Sequence, residues 1–172
     1  MPTFQLGFKC APIGMGEAAI RQEIIGDLAA EALFGESSEL YLKLYEEGLI
    51  DSSFGGGFET VDGCAMLTCG GDSEDPEAVR TAILEQAKQL LTCGLDEKAF
   101  LRMKRSAMGR RVRNLDSFDS TCFRQCAYHF SEFEYFEFPD VYAGITEQEV
   151  LAFLAEVILP ERSAMAIIRP VE

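Results

Sequence analysis

The chain contains no tryptophan and one histidine, His129. A single histidine excludes any zinc site built on two histidines, and with it the paired-histidine peptidase motifs. Bases are also scarce: 15 Lys and Arg stand against 29 Asp and Glu, a net charge of −14. Phosphate binding needs a basic footprint, so neither nucleic acid nor anionic membrane is an expected partner. No stretch approaches the ~18 apolar residues of a membrane helix. The amino terminus lacks a basic region followed by an apolar one, so no signal peptide is expected. Met1-Pro2-Thr3 runs straight into strand-like sequence, as is expected of a piece cut from a longer protein. Repeats, low-complexity tracts and linkers are missing too.

What is present fits one globular domain: 172 residues, 48% hydrophobic and 26% charged. The acidity reads as a solubilising surface, with a basic partner as the alternative. The cysteines (Cys10, Cys64, Cys69, Cys93, Cys122, Cys126) sit mostly within apolar periodic segments. They read as buried free thiols of a cytoplasmic protein.

Thr3 to Lys9 alternates apolar and polar residues, the pattern of a half-buried strand. Glu17 to Phe34 carries Ile20, Ile24, Leu28 and Ala32 at spacing four, a helix that Gly35 ends. Ser37 or Ser38 caps a second helix bearing Leu40, Tyr41, Leu44 and Tyr45, which breaks at Gly48. Ile50 to Glu59 and Asp62 to Cys69 read as an antiparallel pair joined at Thr60-Val61, with Gly70-Gly71-Asp72 as a loop. Gly55-Gly56-Gly57 in the first strand leaves room for another backbone or a peptide. Asp75-Pro76 starts a helix to about Thr92, and Asp96 caps another to about Arg113. After a break at Asn114 to Ser117 a helix covers about Phe118 to Phe130. Glu132 to Asp140 alternates acids and aromatics, and reads as a loop whose aromatics pack back on the core, or alternatively as a recognition surface for basic peptide. Thr146 with Glu149 forms a capping box for a helix to about Ile158, and Ser163 to Ile168 closes as a strand. Strands and helices segregate. The expected fold is therefore α+β: a two-layer sandwich, helices on one face of a mostly antiparallel sheet.

Few residues offer chemistry. Cys122, Cys126 and His129 share a helix face at spacings of four and three, so a metal cluster or a Cys–His nucleophile pair is conceivable. The simpler reading makes them core and boundary positions beside Phe123 and Phe130. Six bases (Arg102, Lys104, Arg105, Arg110, Arg111, Arg113) crowd one 12-residue window. They read as a solvated helix face, or alternatively as a docking stripe.

One ordered set of features remains. Leu33-Phe34-Gly35 is followed by Ser37-Ser38-Glu39-Leu40-Tyr41, then Leu44-Tyr45-Glu46-Glu47-Gly48-Leu49 and the triple-glycine strand. Gly70-Gly71-Asp72, the Asp75-Pro76 helix and a closing Ala-Met-Ala-Ile-Ile-Arg-Pro strand complete it. Over nearly the whole chain this resembles the carboxy-terminal half of the insulinase/pitrilysin family of zinc peptidases, in its bacterial processing-peptidase-like branch. The resemblance implies two homologous α+β halves closing like a clamshell around a peptide. The amino-terminal half would carry H-x-x-E-H and a downstream glutamate, hold zinc and activate water. The second half would hold no metal or other cofactor and form the opposite wall, often supplying an Arg and a Tyr. Here those two positions fall at Tyr45 and about Asp51. The chain alone is thus expected to be inert, with no catalytic and no metal-binding residue. Lys43, Tyr45, Asp51, Ser52 and Gly56 become the substrate-facing candidates. The implied partners are the amino-terminal half of the parent or a paralogue, a peptide substrate, and a second copy of this chain through an uncovered apolar surface. Two rivals remain open: an assembly module without a peptidase role, and a stand-alone thiol enzyme.

Overall fold

A strand with apolar residues at every second position must bury one face. In the computed structural model, which describes residues 1–61 and 63–170, β1 (Thr3–Lys9) buries Phe4, Leu6 and Phe8. It lies between β3 (Cys64–Asp72) and β4 (Ser163–Ile168), and β2 (Gly55–Val61) pairs with the far side of β3. The order is β2-β3-β1-β4, and every neighbouring pair is antiparallel. All helices whose apolar stripes pack on the sheet do so on the Phe4–Leu67 side, so the expected two-layer α+β sandwich is the architecture found.

Helix α1 (Gly16–Phe34) is the spine of the helical layer. Its stripe Ile20, Ile24 and Leu28 is fully buried, and it packs across β2 and against α7 (Glu147–Val157). Gly26 is obligatory there, since a Cβ would overlap the Phe58 ring of β2. Arg21 ties α1 to α7 through Glu149 at 2.6 Å. Glu149 also completes the capping box expected from the sequence, accepting from the Thr146 amide at 2.9 Å. The other caps form where the sequence puts them: Ser38 on α2 (Glu39–Glu46), Asp75 on α3 (Pro76–Cys93) and Asp96 on α4 (Glu97–Arg113). Gly48, with φ +68°, ends α2 by letting the Leu49 amide reach the Leu44 carbonyl at 2.9 Å.

Several local expectations are corrected. Ile50 to Phe54 is a turn rather than strand, because the Asp51 carboxylate accepts from the Ser53 amide and hydroxyl and curls the chain. Strand β2 instead runs on through Thr60 and Val61, expected as the connection. The expected strand start at Asp62 lies outside the described residues. Gly70, Gly71 and Asp72 are not a loop but the end of β3, paired with Gln5, Phe4 and Thr3. The missing side chain at Gly71 is what lets the chain pass: a Cβ there would sit 2.7 Å from the Phe54 Cα. Glu132 to Asp140 is not simply a loop, since it holds a 3-10 turn at Tyr135–Glu137 and the start of α6 (Phe138–Gly144). Its aromatics Phe133, Tyr135 and Phe138 do pack on the core, as expected, while Phe136 stays exposed.

Candidate functional site

Edge strand β2 has a partner on one side only among the described residues. Along its glycines runs a groove. One part, of about 430 Å³, is lined by Gly56 and Gly57 of β2, by Glu23, Asp27 and Glu31 of α1, and by Arg110 and Arg111 of α4. Asn114, Tyr142 of α6 and Arg124 of α5 (Phe118–Phe130) complete it. The second part, of about 460 Å³, shares Ala30, Glu31, Gly56 and Arg110 with the first and continues past Gly55 and Phe54 to Gly35 and Ser37.

The three glycines are not equivalent. At Gly56 a Cβ would lie 2.5 Å from Phe34 Cδ2 and 2.6 Å from the Thr68 carbonyl oxygen, so the chain's own core fills the space beside it. Gly55 and Gly57, on the opposite face, have nothing within 4 Å of a built Cβ. The room expected at the triple glycine therefore exists at its first and third members.

Charge in the groove is mixed and largely matched. Arg111 is buried and reaches Glu23 at 2.5 Å and Asp27 at 3.5 Å, with its guanidinium stacked over Phe138 and Tyr142. Tyr128 of α5 donates its hydroxyl to Glu23 at 2.7 Å, and Arg110 meets Glu31 at 3.0 Å. Loss of solvation pushes the Asp27 carboxyl up to about 6, and the Glu23 charge adds to this while Arg111, Arg110 and Arg124 oppose it. Burial likewise raises the Tyr128 phenol, and the Glu23 carboxylate reinforces it. The basic window is therefore not one solvated face. Arg111 is the centre of this network, and Lys104 donates to the carbonyl oxygens of Ala143 and Ile145 at the end of α6.

The sequence candidates do not all gather here. Gly56 lines the groove, but Lys43, Tyr45, Asp51 and Ser52 do not. Lys43 and Tyr45 project outward from α2, Tyr45 stacked on Tyr41 with ring centroids 5.9 Å apart. Asp51 is held by Ser53, whose hydrogen bonds draw its pKa below the usual carboxylate value, and Ser52 is exposed beside it. Sequence reasoning missed Glu23, Asp27 and Tyr128. The signal was there for the acids: Glu23, Asp27 and Glu31 recur at spacing four along α1.

The thiols also need correction. Cys10 and Cys69 are buried, and burial pushes their pKa values up to about 11 and about 12, which leaves them protonated and unreactive. Cys64, Cys93, Cys122 and Cys126 are exposed instead. Cys122, Cys126, Phe123 and Phe130 are thus not core positions: α5 turns Ser120, Thr121, Arg124 and Tyr128 inward and these residues outward. Among the described residues no three His, Cys, Asp or Glu side chains are grouped to hold a metal ion. With one histidine and no such group, these residues do not fit zinc. No helix of the described residues is long and apolar enough to cross a membrane.

Residues 2–107 match the sequence profile of the peptidase M16 inactive domain. The chain belongs to that family. An M16 inactive domain is what the sequence resemblance implied, and relatives extend the likeness to its full length. It is 29% identical over 173 residues to the uncharacterized zinc protease YmfH of Bacillus subtilis, a match over 98% of this chain and 40% of that protein. The chain thus spans well under half the length of that curated relative. The fold superposes on a crystal structure described as an M16-like peptidase from Alicyclobacillus acidocaldarius, with a TM-score of 0.89, 24% identity, and 99% of this chain against 41% of that one. It also superposes on an inactive peptidase domain from Bordetella parapertussis, with a TM-score of 0.83, 13% identity, and 100% of this chain against 92% of that one. These structures share the fold of this M16 inactive domain.

Proposed function

We propose that this M16 inactive domain is a non-catalytic wall of a cytoplasmic zinc peptidase chamber, holding an extended polypeptide while a zinc-bearing amino-terminal half hydrolyses it. The observation that carries this reading is the groove along β2. An unpaired strand edge offers backbone donors and acceptors to any extended chain, independent of its sequence. Open space beside Gly55 and Gly57 keeps side chains from blocking that approach. Alternating Arg and Glu or Asp in the groove suits an amphoteric polypeptide rather than a polyanion. Lys43, Tyr45, Asp51 and Ser52 would then face substrate only at the outer rim, on the α2 side. Zinc, the activated water and the general base belong to the partner half, and no step of hydrolysis is assigned to this chain.

Asn114→Trp tests the reading. Asn114 lines the groove from an exposed position and its side chain has no hydrogen-bond partner among the described residues, so stability holds while the ring narrows the groove mouth. Binding of carboxymethylated, permanently unfolded α-lactalbumin to the full gene product should weaken by about tenfold, ~1.4 kcal/mol. Unchanged binding contradicts the proposal. The family resemblance lends weight to an assembly module instead: it sets Tyr45 and about Asp51 at the positions where active members often carry Arg and Tyr. The two separate on the parent gene, where an H-x-x-E-H motif preceding this segment supports the peptidase and its absence the module.

A further inference from the structure

Helix α5 is amphipathic the wrong way round for a free surface. Phe118, Phe123 and Phe130 are 80%, 74% and 79% exposed, and no residue of the helix is fully buried. What it turns toward the body is polar: Tyr128 bonds Glu23, Thr121 bonds the Leu115 carbonyl oxygen, and Arg124 lines the groove. Phe118, Cys122, Cys126 and Phe130 recur at spacing four, a continuous ridge along the outer face with Phe123 beside it. The three rings alone present on the order of 450 Å² of apolar surface, the size of patch that marks an interaction site. At its carboxyl end the ridge borders a hollow of about 370 Å³ lined by Cys126, His129, Phe130, Phe133 and Tyr135. Tyr135 is buried at the floor of this hollow.

Charge says what kind of chain. Asp116 and Asp119 flank the amino end of the ridge, and Glu132 and Glu134 its carboxyl end, against Arg113 and His129. A two-fold contact between two copies through α5 would bring these acids together in a complex of two chains each at −14. A ridge at spacing four seats best in the groove of another helix. We infer that the outer face of α5 docks a helical segment of a partner polypeptide whose apolar residues are flanked by lysine or arginine. This surface faces away from the β2 groove and does not depend on peptide binding there.

The test uses an amphipathic leucine–lysine helical peptide of 13 residues, the length of α5, and its leucine–glutamate counterpart. Both are titrated into the full gene product at physiological ionic strength. The leucine–lysine peptide should bind. Phe123→Ser/Phe130→Ser should weaken it by about tenfold, and the leucine–glutamate peptide should bind weaker by a similar factor. Ile168→Ser, at an equally exposed apolar residue on β4, should leave binding unchanged. Both substituted phenylalanines are exposed, so an unchanged circular dichroism spectrum and melting temperature are expected and checked. Equal binding by the wild type and the double variant overturns the inference. So does a concentration-dependent dimer that the double variant abolishes, because a second copy would then cover α5.

Discussion

At the scale of single residues, Arg111 decides how α4, α5 and α6 sit on α1. It is buried, contacts two carboxylates of α1 and stacks between two rings of α6. Removing it strands Glu23 and Asp27 without their cation. Arg111→Ala should therefore destabilise the fold by about 2–3 kcal/mol, less than for a fully buried pair because the carboxylates left behind are partly exposed; denaturant midpoints check this. Asp27 makes an opposite prediction. It opens to the groove's water on one side but is enclosed by protein on the others, and its native pKa of about 6 lies above the ordinary 3.8. A raised carboxyl pKa means that the native state binds its proton more tightly than the unfolded state does. The resulting stability is fully present below about pH 4 and is lost as pH rises through about 6. Asp27→Asn should melt at a higher temperature than wild type at pH 8, with the gap narrowing between pH 6 and 4. A gap that is constant with pH would deny the linkage.

At the scale of elements, strand β2 separates a structural glycine from two open ones. Gly56→Val would push into Phe34 and the Thr68 carbonyl, so it should cost about 1–3 kcal/mol of the domain's own stability. Gly57→Val should be neutral or stabilising, because β-branched residues favour strands and nothing stands in the way. Urea titration of both variants compares them directly. The sequence showed that this strand tolerates close approach, but not by which face, since alternation cannot be read through three glycines. Elsewhere the local chemistry was sufficient. Caps at Ser38, Asp75, Asp96 and Thr146 are short-range devices, and each formed as read. The failures were long-range. Gly70 to Asp72 looks like a turn until β1 and β2 are there to pair with it, and α5 reads as a core helix because periodicity reports an apolar face without saying what it faces.

At the scale of the molecule, the fold and family were legible from an ordered set of features, because the sheet and its covering helices follow from alternation, spacing and caps. The groove was not. It depends on Glu23 and Asp27 of α1 meeting Arg111 and Tyr128, pairs 88 and 105 residues from Glu23 along the chain. The whole places one free strand edge, β2, beside a charged groove, and the other, β4, at the far side of the sheet. Amide hydrogen exchange tests most directly whether β2 is where a polypeptide is held. In the full gene product, saturating carboxymethylated α-lactalbumin should slow exchange across Gly55–Val61 and leave Ser163–Ile168 unchanged. Bound polypeptide with no added protection in β2, or with protection at β4 instead, would contradict the account.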